Sequence, residues 1–493
     1  MHIQDSKIDK NGHLLPVTVY ESNLELPLRL KSIKKYSLDQ GDISTRATSL
    51  QETLSNIIPI CNTIGVTRLC DITYLDKLYI PNYCAVLPGT EDAFWVYSGK
   101  GPTKTHAIAS ALMESIERYS SLPNNSSKRI IQGTYSELSK SYNKVLHPDE
   151  VVEPVQSSYN EGSIIDFVKG FELLSNQEIL VPAQLVFSRY SARFPSMLAF
   201  PYSHTNGLAS GNVLEEAICH ALCEVIERDA VSIADLCASS IPYTILQELT
   251  KLLTKMNYGI SKNTSTTETN FFDDSSLFQE VDISEVNMFE SAKILFDKFA
   301  KNGISLLIKD ITQEDIGIPT FVASSVEWIT DDYGFFALGY GTHVDSRIAL
   351  IRAITELSQT RAINIQGSRD DLTKIHYKEN DQIHKRKWQF MPTMRPNSKK
   401  GSKQTVMFSQ IRSYIIDDLL DEIKFILSRL KKSGLKKVII VNLTNPNVGI
   451  PVVRAIVPGL ETFEVARLYT SSELLMGNRA KSRFYSLLSS NKR

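Results

Sequence analysis

An α/β (α+β) fold organised as one composite domain is what this sequence predicts, and three observations carry the prediction. Segments with helical apolar spacing alternate with short strand-like apolar runs along most of the chain, which calls for helices layered on sheets. The pattern Ala-Leu-x-Glu-x-Ile-Glu-Arg occurs as ALMESIER (Ala111 to Arg118) and as ALCEVIER (Ala221 to Arg228), with a looser echo, AITELSQTR, from Ala353 to Arg361. Each copy follows a glycine-bearing loop: Gly99-Lys100-Gly101, then Asn206-Gly207 with Gly211-Asn212, then Gly339-Tyr340-Gly341. Internal repetition on this scale favours one domain built from related units over independent modules.

Taken in order, residues 1–43 are polar and weakly patterned and read as an N-terminal extension. Thr48 to Ile60 has helical spacing, with Leu50, Leu54, Ile57 and Ile58 on one side. The runs LYIPNYCAVLP and DAFWVYSGKG read as strands, the second feeding a helix over about Thr103 to Leu122. A strand-rich stretch from Ile164 to Phe187 leads through HTNGLASGN into a helix over Leu214 to Cys237. Residues 258–285, rich in Ser, Thr, Asn and Asp, read as a surface insertion. A helix near Val286 to Asn302, the strands ISLLIKDIT and IPTFVASSV, and a third glutamate helix over Asp345 to Ile365 follow. Residues 368–403 are polar and basic and read as a second insertion. A helix (Ile415 to Lys432), a strand (Lys437 to Leu443) and PVVRAIVPGLE complete a main domain of 44–470, followed by a tail of 471–493.

Composition narrows the function class. A net charge of −1 with 22% charged residues gives no basic surface for nucleic acid, and no apolar run is long enough to span a bilayer. The six cysteines contain no Cys-x-x-Cys pair, the usage expected of a reduced, cytoplasmic protein.

The chemistry is concentrated in the repeated helices. Ser110, Glu114 and Glu117 stand at i, i+4 and i+7, one stripe of a helix. Glu216, Glu224 and Glu227 fall within an arc of roughly 80°. Arg352, Glu356 and Gln359 repeat the i, i+4, i+7 stripe. A single Glu-x-x-Glu-Arg is ordinarily a solvated, ion-paired face. Two matching copies and a third echo point instead to carboxylates gathered on one site, where hard cations such as Mg²⁺ with phosphate oxygens would compensate them. Arg118, Arg228 and Arg361 are placed to meet phosphates or brace the glutamates. The glycine stretches match neither a Walker A loop nor a Rossmann fingerprint. Cys219 and Cys223 beside His220 are better read as small core residues than as metal ligands. His106, His204 and His343 each lie near a glycine stretch and are candidates for proton transfer.

GKGPTKTHAIASALMESIERYS, HTNGLASGNVLEEAICHALCEVIERDA and GYGTHVDSRIALIRAITELSQTRA closely resemble the three signature segments of YcaO-family proteins, over about Ser44 to Glu464. The resemblance implies a fold of that family's own and ATP-dependent activation of a peptide backbone amide, giving an azoline, a thioamide or an amidine. It implies ATP and Mg²⁺ as cofactors, with Glu114, Glu117, Glu216, Glu224 and Glu227 on magnesium and Ser110 and Asn212 at the nucleoside. Arg228 and Gln359 would meet the phosphates, with Glu356 beside them in the catalytic set and Arg361 two residues beyond Gln359. Arg46 best matches the family's N-terminal basic residue near the phosphates. RATSLQETLSNIIPICNTIGVTRLCDITYLDKLYIP and VVRAIVPGLETFEV resemble the archaeal and TfuA-associated branch, which implies thioamide formation with a sulfur donor and a TfuA-like partner. The absence of a proline-rich tail, the last proline being Pro458, counts against azoline formation on a precursor peptide. An ATP-binding accessory protein in sulfur transfer is the reading from another class. A homodimer is what the family leads one to expect.

Overall fold

The computed structural model describes residues 30–36, 44–92, 95–126, 128–151, 159–188, 190, 205–238, 278–284, 289–330, 333–366, 405–462, 479, 482 and 483. Three sheets, two antiparallel and one mixed, carry the helices. The first is the meander β1 (Arg68–Asp71), β2 (Asn82–Val86) and β3 (Val96–Lys100). The second holds β4 (Ile131–Gly133), β5 (Ile165–Glu172), β6 (Gln177–Pro182), β7 (Leu208–Ser210), β13 (Ile439–Asn442) and β14 (Val452–Ile456). The third runs β11 (Tyr333–Thr342), β10 (Thr320–Thr330), β9 (Ser305–Asp310), β8 (Glu280–Asp282) and β12 (Thr405–Met407). Among the described strands only β8 and β12 pair in parallel, so the mixed layers predicted from the alternation resolve to the α+β type.

The helices fall close to where the periodicity puts them: α1 (Leu50–Ile64), α2 (Lys104–Ser120), a short α3 (Tyr135–Ser141), α4 (Leu214–Ala238), α5 (Glu290–Lys301), α6 (Ser346–Gln366) and α7 (Leu419–Lys432). Local caps fix several ends. The Ser49 and Thr103 hydroxyls accept the backbone N–H groups of Glu52 and His106, and Gly65 ends α1 at φ 99°. The apolar face of α4 (Ala217, Ile218, Ala221, Leu222, Val225) packs with that of α7 (Leu419, Ile423, Ile426, Leu430) over β13 and β14. A second core lies between α1, α2, β5 and β6, and a third beneath α5 and α6 against β9 to β11.

The glycines expected in loops turn out to sit partly in strands. Gly99 closes β3, and Gly339 and Gly341 lie within β11. A Cβ on Gly99 would stand 2.1 Å from the Ala111 nitrogen, and one on Gly339 2.0 Å from the Leu357 nitrogen. Each strand is therefore pressed flat on the helix that follows it, backbone against backbone, with alanines (Ala107, Ala111; Ala349, Ala353) on the helix side. This contact repeats the same strand–helix unit twice and sets the depth of both glutamate stripes.

Both flanking segments touch the domain. Residues 30–36, read as part of an extension, are stitched onto α7. Lys34 bridges Asp418, the Lys35 N–H donates to the Asp417 carbonyl, and the Leu419 N–H donates to the Ile33 carbonyl. At the other end Arg479, in the expected tail, makes a fork to the buried Asp229 with contacts of 2.9–3.2 Å. The stretch read as a surface insertion over 258–285 includes β8, because its Val281 packs in the third core. The insertion read over 368–403 lies outside the described residues.

Candidate nucleotide site

Three stripes converge, as the repeated pattern predicts. Glu114 and Glu117 come from α2, Glu224 and Glu227 from α4, and Glu356 from α6. Glu117, Glu224, Glu227 and Glu356 each feel the charge of a glutamate or arginine from another helix, and Glu114 feels Lys100 of β3. Ser110 lies one turn before Glu114 on the same stripe. Glu117 accepts the backbone N–H of Ser210 at 3.1 Å, which ties α2 to the end of β7. Arg118 reaches back to Glu114 at 3.4 Å, and its Nε is buried without a hydrogen-bond partner, a donor held ready inside the cluster. Arg228 lies beside Glu224, Glu227 and Glu356.

Glu216 occupies a flanking position two turns before Glu224. It takes the Arg46 guanidinium at 2.7 Å, the Ala47 N–H at 3.0 Å and both Asn212 amide contacts at 3.2 Å. Arg46, from the N-terminal segment, and Asn212 with Glu216, from the second repeated segment, thus form one group. His220 falls in the middle of the same α4 stripe. Burial, together with the nearby Arg352, Arg46 and Lys100, drives its pKa well below the usual histidine value, so it is a neutral imidazole.

Gln359 donates to the Ser98 carbonyl at 2.5 Å, so α6 is fastened to β3. Arg361 departs from the expected phosphate position. Five residues past Glu356 it points to another face of α6, where its fork binds both oxygens of the buried Asp76 at 2.8 Å and also Glu327 at 2.8 Å. It braces α6 against the loop before β2 rather than joining the acid cluster. His343 likewise has both ring nitrogens engaged. Nδ1 accepts the Asp345 N–H at 3.0 Å, and Nε2 stands 3.3 Å from Glu422, which also pairs with Lys35. That triad locks the third glycine strand to α7. His106 pairs with Thr103 at 2.7 Å, and His204 lies outside the described residues. Cys219 and Cys223 are buried core thiols as read, Cys223 being pushed up to about 12 by burial.

Two cations of the cluster went unread in the sequence. Lys100, the lysine between the two glycines, pairs with Glu356 at 2.5 Å. Arg454 is buried in β14 and acts on Glu224 and Glu117. An arginine set in the apolar run PVVRAIV is itself the signal of a buried counter-charge.

Burial raises the pKa of Glu114, Glu117 and Glu224, with partial relief from Arg118 and Arg228. Burial and then the neighbouring Glu356 push Glu227 up to about 8. Glu356 moves the other way. Burial opposes its ionisation, but Lys100 and Arg228 outweigh burial and keep it charged. A carboxyl bound to protons more tightly in the folded than in the unfolded chain stabilises at low pH, and that gain is lost as pH rises through its folded pKa. His343 is neutral above its ordinary range, so from pH 6.5 to about 8 the glutamate cluster dominates. The protein alone should lose thermal stability across that interval, and Mg²⁺ with a non-hydrolysable ATP analogue should flatten the slope by taking up the ionised oxygens. A melting temperature that rises with pH, or a slope indifferent to Mg²⁺, would contradict this.

A family model described as YcaO cyclodehydratase, ATP- and Mg²⁺-binding, matches residues 98–272 and 274–461. The chain belongs to the YcaO family. A protein of Methanothermobacter thermautotrophicus is 32% identical over 421 residues, 85% of this chain and 96% of its own length. One encoded in the tfuA 3′ region of Rhizobium leguminosarum bv. trifolii is 27% identical, over 87% of this chain and 91% of its own. Among solved structures, a heterocyclase in complex with substrate and cofactor superposes with a TM-score of 0.65 at 22% identity, covering 89% of this chain. The chain spans about half of that heterocyclase, 55% of its length. YcaO from Methanopyrus kandleri, bound with AMPPCP and Mg²⁺, superposes with a TM-score of 0.61 at 22% identity, over 88% of this chain and 95% of its own. These likenesses establish the fold.

ATP and Mg²⁺ are the cofactors that go with this YcaO chain. Its residues fit them: the donors are hard carboxylate oxygens, and Arg118 keeps an unspent N–H beside them. Among the described residues no three acid, histidine or cysteine side chains close on a point as a ready-made cage. Among the described residues no helix is long and apolar enough to cross a membrane.

Proposed function

We propose that this YcaO protein uses ATP to activate a backbone amide of a peptide or protein, and that the product is a thioamide. The observation that carries the ATP-dependent part is the convergence of five glutamates from three repeated helices with Lys100, Arg118, Arg228 and Arg454. Phosphoryl transfer needs positioning and charge neutralisation more than a protein nucleophile, and this cluster offers both. Glu114, Glu117, Glu216, Glu224 and Glu227 would hold Mg²⁺. When bound, the metal would draw charge from the transferred phosphoryl group. Ser110 and Asn212 would face the nucleoside, Arg46, Arg228 and Gln359 the phosphates, and Glu356 would keep Lys100 aimed at the reacting end. Arg361 serves this arrangement indirectly, by fixing α6 through Asp76.

Hydrosulfide adds to the amide carbon, and the resulting oxyanion takes the γ-phosphoryl group of ATP. Phosphate then leaves with the former amide oxygen as the C=S bond forms, and ADP remains. The relative from the tfuA region and the archaeal relative support this branch and a TfuA-like partner. Cyclodehydration of Cys, Ser or Thr to an azoline is the second reading, favoured by the family description and by the fold likeness to a microcin synthetase complex with pro-MccB17 bound, TM-score 0.52.

Intact-mass measurement separates the two. A candidate substrate incubated with the protein, Mg²⁺-ATP, sulfide and a TfuA-like protein should gain about 16 Da, sulfur replacing oxygen. A loss of about 18 Da, one water, would establish the azoline instead. Substrate unchanged while ATP binds without turnover would favour an accessory role.

A further inference from the structure

Of the two cations of this cluster that the motifs leave unassigned, Lys100 is the one in direct contact with a glutamate of the repeats. β3 runs between two helices and its alternation is strict. Gly99 and Gly101 face α2, where a Cβ on either would stand 2.1 Å from the Ala111 nitrogen or 2.3 Å from the His106 Cβ. Ser98 and Lys100 face the other way, toward α6, where Gln359 takes the Ser98 carbonyl and Glu356 takes the Lys100 ammonium, each at 2.5 Å. The ammonium is three-quarters covered, with 25% of the side chain exposed, and it also acts on Glu114 and Glu227. One side chain thus addresses carboxylates of all three repeated helices.

The charge balance gives this position its meaning. The carboxylates Glu114, Glu117, Glu224, Glu227 and Glu356 already face four fixed cations, Lys100, Arg118, Arg228 and Arg454, with Asp92 acting on Glu114 and Arg118 as well. A bare divalent ion reaching Glu356 would have to displace an ammonium already in contact with its oxygen. A polyphosphate arriving with its metal brings matching negative charge, and its oxygens offer the displaced ammonium a new partner.

We propose that Lys100 is a built-in competitor of the metal, which holds Glu356 and its neighbours against free divalent ions and yields them only to a metal–polyphosphate. The ordering of metal and nucleotide is then a property of one lysine. The inference rests on reading the cluster as the Mg²⁺-ATP site.

The test is Mn²⁺ binding followed by electron paramagnetic resonance, with and without AMPPCP, on the wild-type chain and on Lys100→Met, Lys100→Gln and Lys100→Arg. The wild type should take up Mn²⁺ weakly alone and at least about tenfold more tightly with AMPPCP. Met and Gln should each tighten Mn²⁺ binding without nucleotide by about tenfold and shrink the nucleotide-dependent gain, whereas Arg should keep the wild-type pattern. Two neutral replacements, each checked by thermal melting, guard against one misfolding. Neutral variants that melt like the wild type but bind Mn²⁺ no better would overturn the role of Lys100. A wild type that binds no Mn²⁺ even with AMPPCP would overturn the site reading itself, and this inference with it.

Discussion

Exchange of Glu227 for Gln is expected to lower Mg²⁺-ATP turnover by about two to three orders of magnitude, the scale seen when one preorganised electrostatic group is removed from a reacting site. Gln keeps the shape and removes the charge. Because burial and Glu356 already push Glu227 up to about 8, the side chain is largely protonated near neutrality in the protein alone, and a neutral amide imitates that state closely. The melting temperature of Glu227→Gln at pH 7 should therefore match the wild type. Its decline between pH 6.5 and about 8 should be shallower, since one of the titrating carboxyls is gone. Steady-state turnover and thermal melting across that pH interval check both halves. Turnover within a few-fold of wild type would remove Glu227 from the machinery, and a large fall in melting temperature would show that it serves the fold.

The opposite signature is expected of Asp76→Asn. Asp76 is almost completely buried, 2% exposed, and both its oxygens are taken by the equally buried Arg361. Removing its charge leaves the guanidinium buried beside Glu327, an anion already shared with Lys77. Breaking one side of such a pair costs about 3–5 kcal/mol. Urea unfolding of Asp76→Asn should show a lowered midpoint with little change in slope. ATP affinity should fall only as far as α6 loosens from β3, so Gln359 and Glu356 become less well aimed. A loss confined to nucleotide binding, with stability intact, would return Arg361 to the phosphates.

That difference between Glu227 and Arg361 shows what the sequence could reveal. Repetition of Ala-Leu-x-Glu-x-Ile-Glu-Arg made the glutamate stripes legible, because helical spacing alone decides which residues share a face. The strand–helix alternation was legible for the same reason. Arg361 belongs to the motif text but not to the motif face, and its partner Asp76 comes from 285 residues earlier. Nothing local could announce that pairing. Lys100 was hidden differently. It stood between two glycines that drew notice as loop formers, whereas their true role is to let β3 lie flat on α2 and turn the lysine toward α6. Lys35 is a further case, a charged residue in a polar stretch that becomes a buried partner of Glu422.

Segments on either side of the family-matching stretch clasp one helix at two points. Near the start of α4 the Lys31 N–H donates to Glu215 at 2.6 Å, and farther along Arg479 holds Asp229, whose carboxyl is raised by burial and partly drawn back by that guanidinium. Neither Lys31 nor Arg479 lies inside the stretch that defines family membership. The catalytic core is consequently not a portable cassette. Transplanting residues 98–461 into another protein would carry every glutamate and leave behind the clasps that keep α4 in register, so the chemistry of this fold is inherited with its margins.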